Sequence, residues 1–200
     1  MTEQERLNEA WRRFDLINAQ DQNTEECGGE PQPRELVFAR RLTDWVSKLA
    51  PDASVGLRLA ARCQHIRRWM IPRSRYPMTR AGYLEWRTTL KQFHADESAT
   101  VLRELGYPEP IIARVRDLNL KRNLSKDPEM QVLEDALCLV FLEWQFPDLA
   151  RKTDEDKTIN ALRKSWRKMS PTARARALEL PYGPHERGLL ERALAGPKEA

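Results

Sequence analysis

The sequence predicts an all-α fold, a single-domain helical bundle. Apolar residues recur three and four positions apart along nearly the whole chain, the period of a helix with one buried face. No stretch shows the period-two alternation of a half-buried strand. With 200 residues, 40% hydrophobic and 32% charged, the chain is long enough for one substantial core and short for two.

An N-terminal helix is expected from about Gln4 to Ala19, carrying Leu7, Trp11, Phe14 and Leu16-Ile17. Gln20 to Pro33 reads as a polar loop, broken by Gly28-Gly29 and two prolines. Leu36, Ala39, Leu42, Trp45-Val46 and Leu49 then mark one helical face. Leu59, Cys63, Ile66 and Met70 mark the next, which Pro72 ends. Arg73 to Met78 lies between prolines and is a loop. Thr79 suits the N-cap of a helix carrying Tyr83, Trp86, Leu90 and Phe93, which stops at His94 or runs on to Leu105. Gly106 fits a C-terminal cap, and Pro108 and Pro110 open a short helix. Asp127-Pro128-Glu129 is a strong helix start, with a capping carboxylate and a negative charge at the positive dipole end. That helix contains Ala136 to Leu142, apolar at every position, so a buried central helix is expected near residues 128–145. Three more helices are expected: Glu155 to Met169, Pro171 to Leu180, and a loosely attached one from His185 to Ala195. The expected organisation is an N-terminal helix and loop over 1–33, a core over 34–180 and a C-terminal appendage over 181–200.

No apolar run approaches the roughly 20 residues of a membrane-spanning helix, so no membrane role is expected. The polar, acidic start Met1-Thr2-Glu3-Gln4-Glu5 does not resemble a secretory signal. Cys27, Cys63 and Cys138 are odd in number and widely spaced, which reads as reduced thiols in a cytoplasmic protein.

Three features bear on chemistry. Glu134 and Asp135 directly precede the apolar run, and Asp135 shares its face with Cys138, Leu139 and Leu142. A carboxylate there needs a partner, and an arginine or a metal ion weigh equally. His65 and His94, each alone, read as packed or capping residues. Together with Asp135 they form the kind of ligand set that helical proteins project inward from separate helices. Between them lie seven basic residues against the single acid Glu85, a local net charge of +6 in a chain whose total is +4. Trp69, Tyr76, Tyr83 and Trp86 are interleaved with these cations. Such a segment is a solvated surface, or a site for phosphate or RNA. Gly-rich phosphate loops and nucleophile elbows are missing from the sequence.

Several strings resemble an uncharacterised family known only as domain of unknown function 4202. They are Gln64-His65-Ile66-Arg67-Arg68-Trp69, Ile71-Pro72-Arg73, Tyr76-Pro77-Met78, Ala81-Gly82-Tyr83, Leu133-Glu134-Asp135 and Cys138 to Glu143. The similarity runs from about Phe14 to Leu180 and implies no established activity. A more distant resemblance links the helical order to the HD superfamily of metal-dependent phosphohydrolases. Leu57 to Arg67 is similar to the helix of its His-Asp doublet, and Leu133 to Ala136 to its later aspartate helix. Glu35 and Gln64-His65 stand where that superfamily has its first histidine and its doublet.

This second resemblance implies an HD-like, metal-dependent phosphohydrolase acting on a phosphate-bearing small molecule or nucleotide. A divalent ion, iron, manganese or similar, would be held by Glu35, His65, His94 and Asp135, with Glu134 and Asp135 as the catalytic acids. Arg68, Arg73, Arg80 and Arg87, with Trp69 and Tyr76, would bind substrate. The alternative is a metal-free module that binds a nucleotide or RNA through the same basic, aromatic segment.

Overall fold

A computed structural model describes residues 2–122 and 126–195, and among them it contains ten α-helices and one two-stranded hairpin. The all-α expectation holds. The chain divides into two compact units, residues 1–130 and 131–200. The breaks expected at 33/34 and 180/181 lie inside these units, because the terminal helices bury apolar residues within them. Among the described residues no helix is long and apolar enough to cross a membrane.

In the first unit, α1 (Glu3–Asn18) starts at a capping box made by Thr2 and Glu5 and buries Leu7, Ala10, Phe14 and Ile17. The segment expected as a loop folds instead into a hairpin, β1 (Thr24–Cys27) paired antiparallel with β2 (Glu30–Pro33). Gly28 and Gly29 make its turn at φ 66° and 84°, where a side chain would be strained. Asp21, itself buried, then accepts the Glu35 N–H at 3.3 Å and caps α2 (Arg34–Leu49).

The helix expected to run to Met70 stops at Cys63. It is α3 (Val55–Cys63), capped by Ser54. Arg67 then turns into the left-handed region at φ 53°, which no α-helix passes through, and a single 3-10 turn follows over Arg68–Met70. The Asn18 side chain accepts the Arg67 N–H at 3.3 Å and Glu97 pairs with its guanidinium at 3.2 Å, so the turn is held from two other elements.

Thr79 caps α4 (Arg80–Glu104) by accepting the Gly82 N–H, and the helix runs past His94 without a break. Gly82 allows a close approach: a Cβ there would lie 2.3 Å from the Pro77 carbonyl oxygen. Gly106, at φ 70°, turns the chain into α5 (Glu109–Leu120). Packing of α4 on α5, α5 on α3 and α3 on α2 builds the core around Leu57, Leu59, Leu90, Leu102, Ile112 and Leu118.

Asp127 accepts the N–H groups of Glu129 and Met130 at 3.1 and 3.2 Å and starts α6 (Pro128–Val140), as its sequence indicated. The backbone then widens into a π-helical stretch over Phe141–Gln145, so the buried helix expected near 128–145 is present. Met130, Leu133, Ala136, Leu139, Val140 and Leu142 along it are almost fully buried. The second unit continues with α7 (Phe146–Lys152), α8 (Glu155–Lys168), α9 (Pro171–Leu178) and α10 (Pro184–Leu194). Leu189, Leu190 and Ala193 of α10 are buried, and the helix packs against α8 and α7.

Candidate functional site

The site forms where α2, the Gln64–Met70 turn and α4 meet. On α2, Glu35 and Phe38 lie one turn apart and share a face. The Glu35 carboxylate places Oε2 3.2 Å from Nδ1 of His65. Phe38 stacks on the same imidazole, centroids 4.0 Å apart and planes 8° from parallel. One residue of α2 thus fixes the ring's plane and another its rotation. His94, on α4, is 5.7 Å from His65 between centroids. Its Nδ1 lies 2.8 Å from the Ile66 carbonyl oxygen and donates to it, leaving Nε2 as a lone-pair nitrogen. That Nε2 is buried and has no hydrogen-bond partner. The left-handed turn at Arg67 is what presents the Ile66 carbonyl to it.

Cationic side chains converge on this pair. Arg68 Nε is 3.7 Å from Glu35 Oε1, and its guanidinium sits 4.9 Å above the Trp86 ring. The Trp86 indole N–H donates to the Ile71 carbonyl at 2.9 Å, which holds that ring in place. Burial pushes the His65 imidazole well below its usual range, and the charges of Arg68, Arg87 and Lys121 push it further. Burial likewise keeps His94 neutral. Glu35 moves the other way, to about 7, because burial outweighs the attraction of Arg68. At neutral pH the site therefore holds two uncharged imidazoles, a carboxyl poised to gain or lose a proton, and an excess of positive charge.

Of the residues singled out from sequence, Glu35, His65, His94, Arg68 and Arg87 come together here. Arg73 is otherwise engaged: it donates to the carbonyls of Tyr76 at 2.9 Å and Pro77 at 2.7 Å and ties the loop before α4. Arg80 is exposed at the start of α4, and Trp69 and Tyr76 are half-buried in the turns between α3 and α4. Phe38 and Lys121 were not singled out: Phe38 falls outside the apolar spacing read along α2, and Lys121 ends α5 in a left-handed conformation that no local motif announces.

Asp135 and Glu134 are buried, as expected, yet among the described residues Asp135 meets neither an arginine nor a histidine. Asp135 Oδ1 accepts the Ser170 N–H at 2.8 Å and the Gln131 amide at 2.9 Å, which joins the start of α9 to α6. Glu134 pairs with Lys168 at 3.0 Å. Among the described residues no three His, Cys, Asp or Glu side chains gather as metal ligands would. The free Nε2 of His94 suits a metal, but the cations around it do not, and among the described residues Glu35 is the one carboxylate in contact with the pair. The residues present do not fit a metal centre built from the chain alone.

Fold and site together define an all-α protein in which a buried carboxyl meets a half-buried imidazole among converging cationic side chains. The chain belongs to the family described as Domain of unknown function (DUF4202), whose profile matches residues 8–190. No curated protein and no solved structure gives a match. The likeness to the HD superfamily therefore rests on the segments quoted above alone.

Proposed function

We propose that the His65 site binds the phosphate group of a small phosphate-bearing molecule or nucleotide. The observation that carries this reading is the convergence of Arg68, Arg87 and Lys121 on one neutral imidazole. A cluster of cations that lowers a histidine's proton affinity is a field that attracts an anion, and arginine forks match phosphate oxygens. The Glu35–His65 contact adds a route for a proton, because a carboxyl near neutrality can share one with Nδ1.

Titration calorimetry with inorganic phosphate, a nucleoside monophosphate and a short RNA tests this. Phosphate or the monophosphate should bind, with affinity falling as salt rises, and Arg68→Ala and Arg87→Ala should each weaken binding about tenfold or more. RNA binding alone would favour an extended nucleic-acid surface. Binding of none of the three overturns the proposal.

A second reading is metal-dependent phosphohydrolysis, and His94 favours it. An imidazole that gives Nδ1–H to a backbone carbonyl and keeps Nε2 open has the form of a metal ligand. Hydrolysis of p-nitrophenyl phosphate that needs manganese or iron and is lost in His94→Ala would support it. Activity indifferent to both would remove it.

A further inference from the structure

Among the described residues, Tyr83 is the one phenylalanine, tyrosine or tryptophan that lies exposed, with 46% of its surface open to solvent. It stands on α4 four residues before Arg87 and eleven before His94, spacings that share one helical face. Arg87 is half-buried and His94 buried, so this face passes from solvent into the site around His65.

Trp86, beside Tyr83, is already engaged. Its indole N–H donates to the Ile71 carbonyl, and the guanidinium carbons of Arg68 and Arg73 sit 4.9 and 6.0 Å from its ring centroid. The Tyr83 and Trp86 rings are 5.9 Å apart between centroids and inclined at 50°. Tyr83 therefore stands against the ring that carries Arg68, and Arg68 in turn reaches Glu35 at 3.7 Å. An open aromatic ring thus borders the cations that face the His65 imidazole. Four residues of helix rise about 6 Å, close to the reach of a ribose from its 5′-phosphate to its base.

We infer that the His65 site takes a nucleotide rather than a sugar phosphate, with Tyr83 as the platform on which the base stacks. This rests on the phosphate reading above and extends it to the rest of the ligand. The phosphate meets Arg68 and Arg87, the ribose spans one turn of α4, and the base covers Tyr83. Every base offers a π face to such a ring, so preference among bases follows stacking area, which is larger for purines.

Titration calorimetry on the full chain tests this with inorganic phosphate, ribose 5-phosphate and adenosine 5′-monophosphate as probes. The nucleotide should bind at least about tenfold more tightly than ribose 5-phosphate, the contribution expected of one stacked base. Tyr83→Ala should bring that ratio close to one, and Tyr83→Phe, which keeps the ring, should preserve it. Tyr83→Leu keeps bulk against Trp86 without a π face and should behave as the alanine variant does. A ratio near one in the wild type, or a ratio that survives in both Tyr83→Ala and Tyr83→Leu, overturns the inference while phosphate binding stands. Binding of none of the three probes overturns the phosphate reading and this inference with it.

Discussion

Phe38 lies flat against the imidazole of His65, their centroids 4.0 Å apart, with the carboxylate of Glu35 on the ring's Nδ1. Phe38 is 6% exposed, so it serves the core and the site at once. Phe38→Ala should cost about 3–5 kcal/mol in urea unfolding, the usual loss for a buried phenylalanine. It should also weaken phosphate binding, since His65 loses the surface that orients it. Unaltered stability together with unaltered binding would mean the stacking does nothing.

Glu35 gives stability a distinctive pH dependence. Its folded-state pKa is raised from 4.5 to about 7, so between those values the folded chain holds a proton that the unfolded chain has released. Stability from this group is therefore greatest in acid and falls as pH rises towards 7. Relative to Glu35→Gln, the wild type should lose about 2–3 kcal/mol between pH 5 and pH 8. His65 and His94 act oppositely, since their lowered values make stability rise with pH, but they cancel in the comparison if both proteins keep them neutral. Parallel stability profiles for the two proteins would show that Glu35 titrates normally.

Asp135 should behave as a structural acceptor. Asp135→Ala leaves the Ser170 N–H and the Gln131 amide without it, at about 1–3 kcal/mol. Asp135→Asn keeps an oxygen for the same donors and should cost less. Thermal unfolding of the two variants checks the order, and a reversed order would point to a role for the negative charge itself.

Leu139 tests the apolar run of α6. It is fully buried, and Leu139→Ala should cost about 2–5 kcal/mol. Leu84, 55% exposed on α4, provides the contrast: Leu84→Ala should stay within about 0.5 kcal/mol. Equal losses at both positions, measured by denaturant unfolding, would contradict the packing described.

The helices were legible because their signals are local. Thr79, Asp127 and Gly106 act on backbone groups within three residues, and the three-and-four spacing of Leu36, Ala39, Leu42, Val46 and Leu49 needs no partner to be recognised. The hairpin was not legible, because two four-residue strands with little burial leave no period to detect. His65 and His94 stood out as rare residues beside a basic segment, and the burial of Asp135 followed from its neighbours on α6.

What joins these residues depended on the tertiary structure. The stop at Cys63 reads as continuing helix in sequence, because Arg67 takes a left-handed turn only when Asn18, Glu97 and the His94–Ile66 bond hold it there. Asp135 found a backbone N–H 35 positions away, where sequence reasoning supplied a cation or metal. Sequence by itself determined which surfaces must be buried, since apolar spacing is a property of each helix alone. Which polar group meets which was decided by packing, because a hydrogen bond or an ion pair between distant elements has no local signal and exists only once the core has set their separation.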